Sequence, residues 1–252
     1  MNIQFAIRLI SLASVMAIAG CGGSNGGESI GISSTARIGP SGVWSGVMTA
    51  EDESTKNSLG LITDSGAVFF ITAFEEMIGG YISESISGTY STEGNSFTGR
   101  GYKWSIFDRK DVVVYAGEFI TGREFSGSIL RQSEPGSTFT YTYDSVNLRG
   151  SSLEAISGIY SRTDAGFTRT LTIDIDGGIT GSNTNGCTFG GNVSLDDTNY
   201  NLYDITFTFE CGSGSSTFQG IGALIDETEE NDTLVMALEG TDYIITDFIP
   251  RT

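Results

Sequence analysis

Histidine is absent from the 252 residues. That one absence removes Ser-His-Asp triads, Cys-His pairs, imidazole-ligated zinc and histidine general bases. Basic residues are scarce: 13 Lys and Arg stand against 31 Asp and Glu, for a formal charge of −18. The deficit is uneven. Leu171 to Thr252 holds 14 acids and one base, Arg251, whereas Ser41 to Thr170 holds 16 acids and 10 bases. A C-terminal half this acidic repels phosphates and argues against nucleic acid as a partner. Its acids read as a solvated surface, with cation binding as the sharper alternative. Only three prolines occur and strong helix formers are few, while Gly, Ser, Thr, Phe and Tyr are plentiful. That balance is β-rich. There is no nucleophile motif and no cofactor motif, so the chain is expected not to be an enzyme. Paired carboxylates for glycoside hydrolysis stay formally open, because sequence alone does not give their separation.

Cysteine is limited to Cys21, Cys187 and Cys211. The last two bracket CTFGGNVSLDDTNYNLYDITFTFEC, which reads as one β-hairpin closed by a disulfide. Thr188 to Ser194 and Leu202 to Glu210 have strand composition, and Leu195 to Asn201 between them reads as a polar turn. Placing the cysteines opposite each other sets Phe189 against Phe209, Gly191 against Phe207 and Val193 against Ile205. These share one sheet face with the sulfurs, while Asn192, Ser194, Asp204, Thr206 and Thr208 take the other. A slip of one residue would bury that polar set.

The N-terminus, MNIQFAIRLISLASVMAIAGC, has a positive Arg8 and a short apolar run from Leu9 to Ala19. It is too short for a comfortable membrane span and reads as an export signal over residues 1–20. Ile18-Ala19-Gly20-Cys21 resembles the lipobox of bacterial lipoproteins; an ordinary signal with an incidental cysteine is the alternative. The resemblance implies cleavage before Cys21, diacylation and N-acylation (including palmitate) of that residue, and membrane attachment through it. It also accounts for the odd cysteine. Gly22 rather than Asp after the cysteine implies, by the proteobacterial sorting rule, the outer membrane, on either its periplasmic or its surface face. Residues 21–40 are Gly/Ser-rich and read as a flexible tether reaching about 25 Å.

From Ser41 onward short strands alternate with turns. The first half reads as Val43–Met48, Ser58–Thr63, Ala67–Ala73, Gly80–Ser83, Ile86–Ser91, Ser96–Phe107, Val112–Ile120, Glu124–Leu130 and Thr138–Tyr143. The second reads as Gly158–Ser161, Thr168–Asp174, Ile179–Ser182, Thr188–Ser194, Leu202–Glu210, Thr217–Ile225, Thr233–Glu239 and Tyr243–Ile249. Asp64-Ser65-Gly66 and Asp176-Gly177-Gly178 are hairpin turns. Four echoes suggest a diverged internal duplication: SGVWSG with SGIYSR, ISGTYS with ITGSNT, FTGRG with FGGNV, and FSGSIL with FQGIGAL. Repeated aromatic-x-Gly units fit a sharply coiled sheet with rings lying over glycines. The expected fold is therefore all-β, with two consecutive small antiparallel barrels of about eight strands, over residues 41–150 and 151–252. LRGSSLEA, residues 148–155, is the expected linker. The arrangement resembles lipocalin-like barrels, and the two-barrel lipoprotein layout resembles that of some bacterial surface lipoproteins. An eight-stranded sandwich per copy and one merged barrel are the alternatives.

Candidate sites follow from composition. Asp174, Asp176, Asp196 and Asp197 offer oxygens for calcium, but DIDGG lacks the ligand Glu of an EF-hand and is ordinary turn chemistry, so no metal is expected. Asp226 to Asp232 is an acidic loop, read as solvated or as a weak site for a cationic partner. Trp44, Phe69, Phe70, Phe74, Tyr102, Trp104, Tyr115 and Phe119 read as core; as an alternative, Trp44, Phe70, Tyr102 and Trp104 line a lumen for an apolar ligand, with Phe74 to Ile78 as its lid. Arg100, Lys103, Arg109 and Lys110 are the one basic concentration, read as a solvated loop or, as the alternative, as facing the acidic half and holding the two domains together. Two functions follow: an envelope lipoprotein that binds or scaffolds a partner protein, or a carrier of a lipid or other apolar small molecule.

Overall fold

The computed structural model describes residues 39–73, 82–105, 111–131, 136–227 and 229–252. The expected lid, Phe74 to Ile78, together with Arg109, Lys110 and Cys21, lies outside the described residues. Residues 37–252 form one compact unit.

Alternating inward and outward side chains build two eight-stranded antiparallel sheets. The first contains β1 (Gly42–Thr49), β2 (Thr55–Ile62), β3 (Ala67–Ala73), β4 (Ile82–Glu93), β5 (Ser96–Ser105), β6 (Asp111–Ile120), β7 (Glu124–Arg131) and β8 (Ser137–Tyr143). Each strand pairs with the next, and β8 returns to β1 with Trp44 opposite Tyr143, so the barrel is closed. The strands expected at Gly80–Ser83 and Ile86–Ser91 are, over their described part, one strand, β4. Ser85 and Ser87 are buried on the outer face, so the polar break marks a covered surface rather than a turn. The Asp64-Ser65-Gly66 turn forms as expected: Gly66 has φ 94° and donates to Thr63 O at 3.1 Å.

The second sheet contains β9 (Gly158–Asp164), β10 (Phe167–Ile173), β11 (Gly178–Asn183), β12 (Thr188–Ser194), β13 (Tyr203–Cys211), β14 (Gly214–Ile225), β15 (Thr233–Glu239) and β16 (Ile244–Pro250), again paired in chain order. In the β12–β13 hairpin Phe189 faces Phe209, Gly191 faces Phe207 and Val193 faces Ile205, the register expected from the cysteines. The Cys187 and Cys211 sulfurs lie 1.96 Å apart, at disulfide distance. The turn expected at Leu195 to Asn201 forms between these strands, but its end is not solvated. Tyr200 and Asn201 are buried, and Asn201 grips the backbone of Leu224 through both its amide atoms.

This sheet nearly closes on itself. At one end Tyr160 bridges Arg251, and Thr252 N donates to Ile159 O at 2.9 Å. Further along, guanidinium groups replace the backbone ladder: Arg162 Nη1 donates to Phe248 O at 2.9 Å. Arg162 pairs with Asp164 at 3.0 Å and with Asp247 at 3.6 Å. Arg169 pairs with Asp164 at 2.8 Å and closes the quartet on Asp247.

Between the sheets, the expected linker is ordered. Ser145–Arg149 is a 3-10 helix capped by Asp144, and α1 (Leu153–Ile156) is capped by Ser152, whose hydroxyl accepts from Ala155 N. Asn147, fully buried, exchanges hydrogen bonds of 2.7 Å with both Val43 N and Val43 O. The first sequence echo joins strands of equal rank, β1 and β9. The other three join strands one rank apart, such as β4 with β11, so the eight-strand plan repeats more regularly than those short echoes do.

Three apolar clusters fill this frame. One, within the first barrel, includes Trp44, Phe70, Phe97, Phe125, Phe139 and Tyr141; a second, within the other sheet, includes Tyr160, Leu171, Ile205, Phe207, Met236 and Leu238. The third joins the two sheets: Val43, Leu61, Phe69 and Ile71 from β1–β3 meet Leu202, Ile221, Val235 and Ala237. AVFFITA and TLVMALE are apolar at both odd and even positions because both faces of these strands are covered.

Candidate functional site

The four aromatic residues proposed to line a lumen divide. Trp44 and Phe70 do point inward in the first barrel and are fully buried, as are their neighbours Tyr115 and Phe119 nearly so. Tyr102 and Trp104 occupy the opposite parity of β5 from inward-facing Phe97, so they stand on the outside. Trp104 is covered there and donates from Nε1 to Ser87 Oγ at 2.8 Å, while Tyr102 is exposed. Phe69 also faces outward, into the cluster between the sheets.

The lumen itself is filled. Phe70 lies 5.0 Å from Phe139 and 5.7 Å from Tyr141, centroid to centroid, and Phe125 lies 4.4 Å from Phe97 and 5.5 Å from Trp44. These are the separations of packed ring pairs, with no room for a guest among them. Tyr115 spans the wall and donates to Thr89 O at 2.8 Å, its ring over Gly99, where any Cβ would overlap it. In the second sheet, Leu153, Ala155 and Ile156 of α1 pack against the interior cluster, and the Arg162–Asp164–Arg169–Asp247 quartet sits on the inward face.

Asp174, Asp197, Asp226 and Asp232 are engaged within the chain. Asp174 accepts from Asp176 N at 2.9 Å and from Gly178 N at 2.8 Å, and Asp197 accepts from Asn199 N at 2.8 Å. These are turn contacts. Among the described residues, no group of three or more acids and cysteines is placed to hold a metal ion. In the acidic loop, Asp226 and Asn231 accept from Arg149, and Asp232 accepts from Glu227 N and Glu229 N, both at 2.8 Å. The hydrogen bond from Arg149 holds the Asp226 carboxyl below its ordinary pKa. The bridging base is thus Arg149, from the connector; Lys103 pairs with Glu84 inside the first barrel at 2.8 Å.

A groove of about 470 Å³ opens where β3 and β4 meet β13, β14 and β15. One wall is apolar backbone and side chain: Ala67, Phe69 and Gly88. The facing wall carries Asp204, Thr206, Gln219, Ile221 and Glu239. The register explains this wall. Asp204 lies opposite Ile221 and Thr206 opposite Gln219, and Gln219 in turn lies opposite Glu239, so all share the outer face of three adjacent strands. Burial raises the Asp204 carboxyl above its ordinary pKa, and nearby Asp196 raises it further. Among the described residues Asp204 has no hydrogen-bond or ion-pair partner. Among the described residues, the groove lining contains no lysine or arginine.

Sequence reading assigned Asp204 and Thr206 to the polar face of the hairpin but gave that face no role. The signal it passed over is the pair of two-parity apolar runs, AVFFITA and TLVMALE. They mark the strands whose outer faces are covered, and hence where a second wall stands beside the polar face. No family model, curated protein or solved structure matches this chain.

Proposed function

We propose that this chain is a lipid-anchored lipoprotein of the bacterial outer membrane that acts as a non-enzymatic binding or scaffolding module, presenting the inter-sheet groove to its partner. The observation that carries the reading is the contrast between filled interiors and an open, asymmetric groove. Ring pairs at 4.4–5.7 Å occupy the first barrel, while the groove offers about 470 Å³ at the junction. A groove of that size lies in the range that binds small ligands or an inserted side chain. The apolar-carrier alternative needs a chamber, and packed rings occupy the described interior of the first barrel.

The anchor rests on Ile18-Ala19-Gly20-Cys21 and the Gly/Ser-rich tether that follows. Several acyl chains, at about 0.8 kcal/mol per buried methylene, hold a protein at a membrane stably. Expression with labelled palmitate tests it. The native chain incorporates label and partitions with membranes, and Cys21→Ser abolishes both. Label retained by Cys21→Ser overturns the anchor.

A further inference from the structure

On the outer wall of the first barrel, β5, β6 and β7 bring four exposed large side chains together. Tyr102 lies opposite Val112, and Val114 lies opposite Leu130. Their exposures are 39%, 57%, 49% and 54% in that order. Phe97, Val113, Tyr115 and Ile129 take the inward parity of the same strands, so the outward set does not serve the core. Strand spacing and pleat place the four within about 10 Å across the strands and about 7 Å along them. They present roughly 300–400 Å² of apolar surface as one patch. Arg100 shares the row of Val114 and Leu130; it is exposed and has no hydrogen-bond or ion-pair partner among the described residues. The next outward row, Thr98, Ala116 and Ser128, holds no acid. Residues 100–112 carry four bases against Asp108 and Asp111, the reverse of the balance in a chain of charge −18.

A second copy of the chain fits this face poorly. A stable dimer buries about 800 Å² on each partner, about twice what the patch offers. A two-fold contact would also bring both Arg100 side chains into one interface with no carboxylate in these rows. A lipid surface has the complementary chemistry: anionic headgroups for Arg100, a polar–apolar boundary for the Tyr102 ring, and acyl chains beneath for the aliphatic side chains. The acids of the second sheet are screened beyond about 8 Å at physiological salt, so contact at Arg100 outweighs their repulsion. We propose that this face of β5–β7 docks on an anionic phospholipid bilayer, with Arg100 on the headgroups and Val112, Val114 and Leu130 at the headgroup–acyl boundary. The inference rests on the lipid anchor proposed above, whose tether makes a weak contact intramolecular and so effective. It adds a second contact that orients the module. Among the described residues, none that lines the groove comes from β5–β7, so docking leaves the groove open.

The test is photocrosslinking of the full lipidated chain in vesicles of two parts phosphatidylcholine to one part phosphatidylglycerol. A photoreactive residue replaces Val114 or, as the matched control, Val47, an outward valine of β1 on the far side of the closed barrel with 37% exposure. Lipid adducts should form at position 114 and be sparse at position 47. Omitting phosphatidylglycerol, or introducing Arg100→Gln, should lower the yield at 114 about fivefold, the weight of one base at an anionic surface. Leu130→Asp should lower it to the level of position 47 while the β-sheet spectrum is retained, because Leu130 is exposed. Equal lipid adducts from the two positions overturn the proposal, as does a yield at 114 indifferent to phosphatidylglycerol. Chain-to-chain adducts at 114 overturn it too, and make the face a contact between copies. A chain that associates with vesicles without lipid adducts at 114 loses the docking and keeps the anchor; a chain that does not associate with vesicles loses both.

Discussion

Gly99 illustrates how single residues set this fold. The Tyr115 ring lies on its Cα, and its hydroxyl reaches across to Thr89 O, so the glycine is what lets a large ring lie along the wall. Gly127 plays the same part for Phe139, whose Cζ would lie 2.8 Å from an added Cβ. Gly99→Ala should therefore destabilise by about 1–3 kcal/mol through overpacking, read as a fall in Tm with the native β-sheet spectrum retained. An unchanged Tm would show that Tyr115 can shift freely. The aromatic-x-Gly repeats made this kind of contact legible in the sequence, although not which ring covers which glycine. That depends on register across strands distant in the chain. Tyr102 and Trp104 show the same limit. Their aromatic character was plain, but strand parity, fixed by Phe97 facing inward, turns them outward.

Among the elements, the β12–β13 hairpin was the most legible, because cysteine placement and alternation independently gave the register later seen in Phe189–Phe209 and Val193–Ile205. The seam between β9 and β16 was not. Arg162, Asp164, Arg169 and Asp247 are scattered over 86 positions and acquire meaning only when the first and last strands of the sheet meet. There, side chains take over where the backbone ladder stops. Burial pushes the Asp164 carboxyl up, but hydrogen bonds from Arg169 and Arg162 outweigh it and hold the pKa below the ordinary value of 3.8. A carboxyl lowered on folding stabilises fully above its unfolded pKa, and that contribution is lost as pH falls through the folded value. Stability should thus drop on acidification below about pH 4, and the drop should be smaller in Asp164→Asn, which has already lost the group. At neutral pH Asp164→Asn should cost roughly 2–3 kcal/mol. That is below the fully buried value, since Arg162 and Arg169 keep side-chain exposures of 17% and 19%. Identical acid sensitivity in both proteins would remove the quartet as its cause.

On the scale of the whole molecule, the two sheets are joined by a continuous apolar core. Phe69 and Ile71 on one side meet Val235 and Ala237 on the other, with exposures between 0% and 5%. Arg149 of the connector ties the junction to Asp226. Heating should therefore unfold the chain in a single transition, and Val235→Asp, which places a charge in the shared core, should lower the melting of both sheets together. Two separated transitions in the native protein would mean the sheets stand independently. The all-β double-sheet plan could be read from strand spacing and turn chemistry. The groove could not, because it arises from two surfaces more than a hundred residues apart, Phe69 and Asp204 among them.

The most direct test of the binding-module account is photocrosslinking in the native envelope, with a photoreactive residue at Thr206 in the groove or at Thr140 on the exposed outer face of β8. The account predicts a discrete adduct from position 206 and none from position 140. Adducts from position 140 alone, or equal labelling from both positions, would contradict it.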